Sequence, residues 1–378
     1  MTHHSKPEGS LISFMSNKVK ENGGINLAQG IPGFPPPTEL LDELKALTHT
    51  PIHQYAPGNG NKDLVNILLK KYSKEQILHA ENLLITQGGT EALTLLFIYL
   101  KKKISEPFSA LAFSPVYESY RNLPSIFNTP FIELPLPIAG ALDYKVLKQT
   151  IQEENVKVIF LATPGNPLGK IWSKEEVTTL IGLCEENNVY LILDAVYREL
   201  YFDKPPYLCK DYTHRQLFYT NSFSKLFSIT GWRIGYLIGH QEHLAKIRAI
   251  HDYTGLCAPS IQQQALANYL QKHQQGAHYI QWLRENLTQS FTHLKQALEE
   301  LNFIIPEVKG GYFIWAKLPK PYTSGFNFAM QLYEKERIAV IPGEHFSPQM
   351  VDYIRLNIAH PLPIINKAAE QLAHFLRT

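Results

Sequence analysis

Apolar residues along this chain come in short runs closed by polar or glycine-rich turns, and their spacing predicts strands alternating with helices. The clearest unit starts with the apolar run Val158 to Ala162, read as a strand, followed by a Pro/Gly loop from Thr163 to Gly169. Ser173 and Glu176 stand at the spacing of a capping box, so a helix is expected from there. Within it Val177, Leu180, Ile181 and Cys184 recur at the spacing of one buried face. A second apolar strand, Val189 to Leu193, then ends at Asp194. Two nearly all-apolar strands joined by a helix imply a right-handed parallel unit buried on both faces.

An earlier segment repeats this logic: strand Leu83 to Thr86, then Gly88-Gly89-Thr90, then a helix from about Glu91 to Leu100. Strand Leu217 to Thr220 leads into a loop that carries Lys225. The next apolar run, Ile234 to Ile238, follows too soon for a helical crossover of a dozen or more residues, so it is expected to be antiparallel in an otherwise parallel sheet. Beyond Pro259 long helical segments take over, with a break at Gly276, and run to about Leu301. Short strands are expected at Tyr312 to Ala316, Ile338 to Ile341 and Tyr353 to Ile358, then a closing helix from Ile365 to Leu376. The fold class is therefore α/β, a mostly parallel central sheet with one antiparallel strand flanked by helices, plus a smaller α+β domain. The expected division is 1–40 as an arm with part of the small domain, 41–260 as the large domain and 261–378 as the small one.

At 378 residues the chain is long enough for such a two-domain body, and its 44% hydrophobic content is that of a globular protein. No apolar run approaches the roughly 20 residues a bilayer crossing needs, and Met1 to Lys20 lacks a secretory signal's apolar segment, so no membrane role and a cytoplasmic location are expected. Cys184, Cys209 and Cys257 are an odd number at wide spacing, which argues against a disulfide framework and against a Cys-x-x-Cys metal site. His3 and His4 read as an inert polar pair, so no metal is expected. A formal charge of +2, with Lys101 to Lys103 as the one dense basic run, leaves no electrostatic footprint for nucleic acid.

Candidate chemistry gathers where strands end. In open α/β sheets ligands bind beyond the carboxyl ends of the strands, where Asn166 and Asp194 emerge. Glycines followed by a helix start, as at Gly89 and Thr90, suit phosphate, because free amides and the helix dipole both favour an anion. Lys225 lies in Asn221-Ser222-Phe223-Ser224-Lys225-Leu226-Phe227, where apolar neighbours can lower its basicity, and Arg233 follows shortly after. An aldehyde-capturing amine beside an anion clamp suits pyridoxal phosphate. On the strand around Arg355, Ile354, Leu356 and Ile358 share one face, while Tyr353, Arg355 and Asn357 share the other. An arginine so placed is ordinarily an exposed ion-pair partner.

Taken together, these segments resemble the class I/II aminotransferases of the pyridoxal phosphate fold type I superfamily over essentially the whole chain. The resemblance is carried by Gly30 with Pro32 and Pro35 to Pro37, Tyr55 with Gly58 and Gly60, Gly88-Gly89-Thr90-Glu91-Ala92 and Pro115-Val116-Tyr117. It continues through Asn166-Pro167-x-Gly169, Asp194-x-x-Tyr197, Ser222-x-x-Lys225, Gly231-Trp232-Arg233-x-Gly235 and Arg355. Ala28-Gln29-Gly30-Ile31-Pro32-Gly33-Phe34-Pro35 looks closest to the kynurenine/glutamine transaminase and bacterial methionine aminotransferase branch. Ala195, Leu168, Ser224 and Leu226 depart from commoner choices without touching an expected catalytic role.

The resemblance implies roles. Lys225 would bind the cofactor aldehyde and then move the substrate proton, Asp194 would pair with the ring nitrogen, and Tyr197 and Asn166 would donate to the ring oxygen. Tyr117 would stack on the ring, and Gly89, Thr90, Ser222 and Arg233 would hold phosphate. Tyr55 would reach in from a second subunit, implying a homodimer. Arg355 would clamp the substrate α-carboxylate, helped by Asn166 and the backbone at Gly30. The implied substrates are an amino acid and a 2-oxo acid, handled by ping-pong kinetics. With no second arginine evident for a dicarboxylate, methionine, glutamine or aromatic donors are expected rather than aspartate.

Rival readings fit less well. Ser222-x-x-Lys225 as a serine-hydrolase nucleophile lacks its companion Ser-Asp-Asn and Lys-Thr-Gly motifs. A sensor half of a transcription factor would need a DNA-binding domain, for which the residues before Gly30 leave no room. A β-lyase acting on cysteine conjugates shares the same site residues, because after Cα deprotonation the leaving group and proton path decide the outcome.

Overall fold

A computed structural model describes residues 9–137, 142–209 and 211–377; His3 and His4 lie outside them. Its centre is a seven-stranded sheet built from Leu83–Thr86 (β1), Ser109–Ser114 (β2), Phe131–Pro135 (β3), Val156–Ala162 (β4), Tyr190–Asp194 (β5), Leu217–Ser222 (β6) and Gly235–Gly239 (β7). Their spatial order is β1-β7-β6-β5-β4-β2-β3. β7 runs antiparallel to both its neighbours and the remaining pairs are parallel, as the short connection before Ile234 requires.

Both faces of the sheet are covered. Leu84, Val158, Phe160, Ile192, Phe218 and Leu237 join one apolar cluster, while their strand neighbours Ile85, Ile159, Leu161, Leu193, Tyr219 and Ile238 join another. This explains why the strands read as continuous apolar runs rather than alternating ones. The helix after β4 spans Lys174–Glu186, and the Ser173 hydroxyl and Glu176 carboxylate cap it reciprocally as its sequence demands. The helix expected from Glu91 begins earlier, at Gly88, and continues to Lys103.

After Pro259 come helices Ser260–Lys272 and Ala277–Glu300, with the break at Gly276 in the left-handed region, at φ +79°. The first packs on Thr38–Leu47 and Lys62–Tyr72, the second on the final helix Leu362–Arg377. A second sheet is formed by Phe313–Lys317 (β8), Ile341–Pro342 (β9) and Tyr353–Asn357 (β10), antiparallel in the order β9-β10-β8. The run Ile338 to Ile341 is not one strand: Ile338–Ala339 pairs with Ile25–Asn26, and the chain then crosses at Val340 to the second sheet. All four side chains are buried, so the run carries no period that could reveal the switch. Arg355 is likewise no exposed ion-pair partner; its strand is covered on both faces and it is fully buried. Among the described residues no helix is long and apolar enough to cross a membrane.

Candidate active site

Parallel pairing delivers the candidate residues to one edge of the sheet. Ala162, Asp194 and Thr220 lie side by side in register, so Asn166 leaves from the end of β4, Asp194 closes β5 and Ser222 closes β6. Lys225 sits one turn further, on the short helix Phe223–Leu226. Gly235, at the start of β7, pairs with both Thr86 and Ser222, which brings the start of helix Gly88–Lys103 to the same edge. A cleft of about 280 Å³ opens there, lined by Gly30, Gly89, Thr90, Tyr117, Asn166, Asp194, Tyr197, Ser222, Lys225, Arg233 and Arg355. Of the expected site residues only Tyr55 lies elsewhere: it is 83% exposed and borders a separate depression beside Gln87 and Pro259.

One end of the cleft brings an arginine against a helix start. Arg233 is held in the left-handed region at φ 56°, a conformation that costs a non-glycine residue about 1 kcal/mol or more. Its Nη1 and Nη2 donate to the carbonyls of Thr230 and Gln87, both at 3.0 Å, which presses the guanidinium against the helix start. Gly88 has φ +83°, and a Cβ there would come within 2.5 Å of Arg233 Nη2, so only glycine permits this approach. The Ser222 hydroxyl donates to Ser224 Oγ at 2.8 Å, and the amides of Gly89 and Thr90 belong to the first turn, where helix N–H groups lack intrahelical partners.

Deeper in, Asp194 is 8% exposed, and Tyr120 donates to its Oδ2 at 2.7 Å while the Val196 amide donates to Oδ1 at 3.2 Å. Burial holds this carboxyl above the usual range, against the pull of those two donors. No cation pairs with it among the described residues. Lys225 Nζ donates to the Gly30 carbonyl at 2.6 Å, and burial, reinforced by the positive charges of Arg355 and Arg233, pushes its amine down to about 8. Tyr197 is packed edge-on against Tyr312, and burial pushes its phenol up. Tyr312 in turn donates to the Gly30 carbonyl at 2.9 Å.

Arg355 completes the site. Its Nη1 donates to Asn166 Oδ1 at 2.9 Å and its Nη2 to the Ala28 carbonyl at 2.6 Å, while Nε has no protein partner. The guanidinium lies over the rings of Phe313 and Phe346, at 4.1 and 4.8 Å from their centres. Asn357 stands behind it and donates to the carbonyls of Gln29 and Ile31, pinning the segment that carries Gly30. Sequence reasoning missed Tyr120, Asn357 and Glu118, which also lines the cleft. Tyr117-x-x-Tyr120 does have the spacing of one helical turn, the one signal that could have drawn Tyr120 toward the site.

These residues fit pyridoxal phosphate. A buried carboxylate calls for a cationic partner such as a protonated ring nitrogen, an amine of lowered basicity is ready to attack an aldehyde, and the space beside Gly88 and Arg233 suits a phosphate. Comparison with known proteins agrees. The chain is 26% identical to a probable N-acetyl-LL-diaminopimelate aminotransferase of Bacillus subtilis, over 98% of this chain and 93% of that protein. It is 29% identical to a probable kynurenine–oxoglutarate transaminase of Saccharomyces cerevisiae, over 81% and 74% respectively. Its fold matches that of YbdL, a methionine aminotransferase of Escherichia coli, with a TM-score of 0.88 at 24% identity, over 99% of this chain and 100% of that one. Residues 22–372 match the family described as aminotransferase class I and II, and with its lysine, buried aspartate and arginine-flanked helix start gathered at one sheet edge, the chain belongs to that pyridoxal phosphate-dependent family.

Proposed function

We propose that this aminotransferase takes the α-amino group of a neutral, sulfur-containing or aromatic L-amino acid of the methionine, glutamine or kynurenine type and passes it to a 2-oxo acid by a ping-pong mechanism. The observation that carries the side-chain choice is the cleft wall. Ile12, Ile31, Leu93 and Val196 contribute apolar surface, and the lining arginines among the described residues are Arg233 and Arg355 alone. Arg233 belongs to the phosphate end and Arg355 to the α-carboxylate, which leaves no third guanidinium for a dicarboxylate. The relatives differ from one another in substrate, whereas this wall belongs to the chain itself.

When bound, pyridoxal phosphate supplies an electrophilic carbonyl and an electron-accepting ring that make the substrate Cα proton acidic. Lys225 would anchor it and would move the Cα proton as general base, a role that an amine pushed down to about 8 in the chain itself suits. Asp194 would pair with the ring nitrogen and favour its protonated form. Tyr197 donates to the ring oxygen, and so does Asn166, whose Oδ1 is committed to Arg355 while its amide NH₂ stays available. Tyr117 would cover the ring face, and Gly89, Thr90, Ser222 and Arg233 would hold the phosphate. Arg355 takes the α-carboxylate with Asn166 and the Gly30 backbone. Tyr55, exposed in the single chain, reaches into the site of a second copy, so the working unit is a homodimer.

A donor screen tests this reading. Amino acids are added singly to the purified protein while the cofactor absorbance is followed between about 320 and 450 nm. Methionine, glutamine or aromatic donors are expected to change the spectrum fastest; aspartate outrunning all of them would refute the proposal.

A further inference from the structure

The cleft contains a carboxylate that none of the steps above employs. Glu118 directly follows Tyr117, opens helix Glu118–Ile126 and lines the cleft together with Ile12 and Ile31. Its position is held from two sides. The Ser10 hydroxyl lies 3.1 and 3.3 Å from its two oxygens, and His345 Nε2 lies 3.0 Å from Oε2. Burial raises its proton affinity, but His345, Ser10 and the charge of Arg355 together outweigh that and keep the carboxyl below the usual range. It is therefore ionised at neutral pH.

Arg121, one turn along the same helix, does not neutralise it. Its Nε donates to Glu133 at 2.6 Å, and its Nη1 and Nη2 donate to the backbone carbonyls of His345 and Phe346. Glu118 also borders the depression lined by Ser10, Arg121 and His345, so a substrate held at Arg355 by its α-carboxylate shares the cleft with a carboxylate whose oxygens are held by Ser10 and His345.

We infer that Glu118 sets the side-chain selectivity of this site, disfavouring donors whose side chain ends in a carboxylate relative to their neutral counterparts. The inference rests on the reading that Arg355 binds the α-carboxylate of neutral donors. Like charges in a partly desolvated cleft repel more strongly than in water, and a clash built against the wrong substrate discriminates as well as a contact to the right one. Glutamate and glutamine probe this directly, because they are nearly equal in size and differ in charge.

The test is the ratio of kcat/KM for glutamine over glutamate, measured with one acceptor on the cofactor-loaded protein. Wild type is expected to favour glutamine by about tenfold or more. Glu118→Gln and Glu118→Thr are expected to lower that ratio by about tenfold, whereas Glu118→Asp, which keeps the charge, retains it. A purely structural fault would depress both substrates and leave the ratio alone. A ratio unchanged in the two neutral variants, while wild type still favours glutamine, overturns the role of Glu118 and spares the neutral-donor reading. A wild type that favours glutamate overturns both.

Discussion

Lys225, the proposed base, shows what a buried amine costs the fold. Its amine, ordinarily at 10.5, is pushed down to about 8, chiefly by burial. Below about pH 8 both the folded and the unfolded protein carry the proton, and burying the charge costs the fold about 3 kcal/mol. Between about 8 and 10.5 the unfolded chain binds a proton the folded one has released, so stability rises with pH across that window. Cofactor-free Lys225→Met is therefore expected to melt above cofactor-free wild type at pH 7, with the gap closing as pH climbs through that window. A gap independent of pH in thermal unfolding would show that the buried ammonium is not its source. Stability given up at a site that works by a perturbed group is a common trade.

At the scale of elements, the proposed phosphate site depends on how closely the helix Gly88–Lys103 approaches the start of β7. Gly235 there leaves room for the Gly88 backbone, because a Cβ on it would come within 2.6 Å of the Gly88 carbonyl carbon. Gly88→Ala would be strained twice, by its positive φ and by its collision with Arg233. The expected result is cofactor binding weakened about tenfold or more with the helical content intact, read by titration with pyridoxal phosphate and by circular dichroism. Binding at wild-type strength would mean that Arg233 can retreat without loss. Much at this scale was legible in sequence. The capping box at Ser173 and Glu176 is local chemistry, and the short span between Lys225 and Ile234 leaves the chain no option but an antiparallel return. The split of Ile338 to Ile341 between two sheets was not legible, because a run buried on every side shows no period.

At the scale of the whole molecule, Tyr55 is the candidate residue that does not join the cleft of its own chain. If it completes the site of a second copy, mixed dimers of Lys225→Ala and Tyr55→Ala chains contain one site with both residues intact. Co-expression is then expected to yield more activity than the two homodimers together. Activity equal to their sum would argue that each chain works alone.

The chain's own sequence determined which groups emerge at strand ends, since Asn166, Asp194, Ser222 and Lys225 are placed by local runs and turns a few residues long. What those groups meet was decided only by tertiary structure. Period two says that Arg355 and Ile354 face opposite ways, but not that Phe313, Phe346 and Asn166 lie over the arginine's side and bury it. Tyr120 reaching Asp194, Asn357 pinning Gln29 and Ile31, and Ser10 meeting Glu118 all join residues far apart along the chain. A side chain's direction is a local property, whereas its partner depends on how distant segments pack, and no short window of sequence contains that.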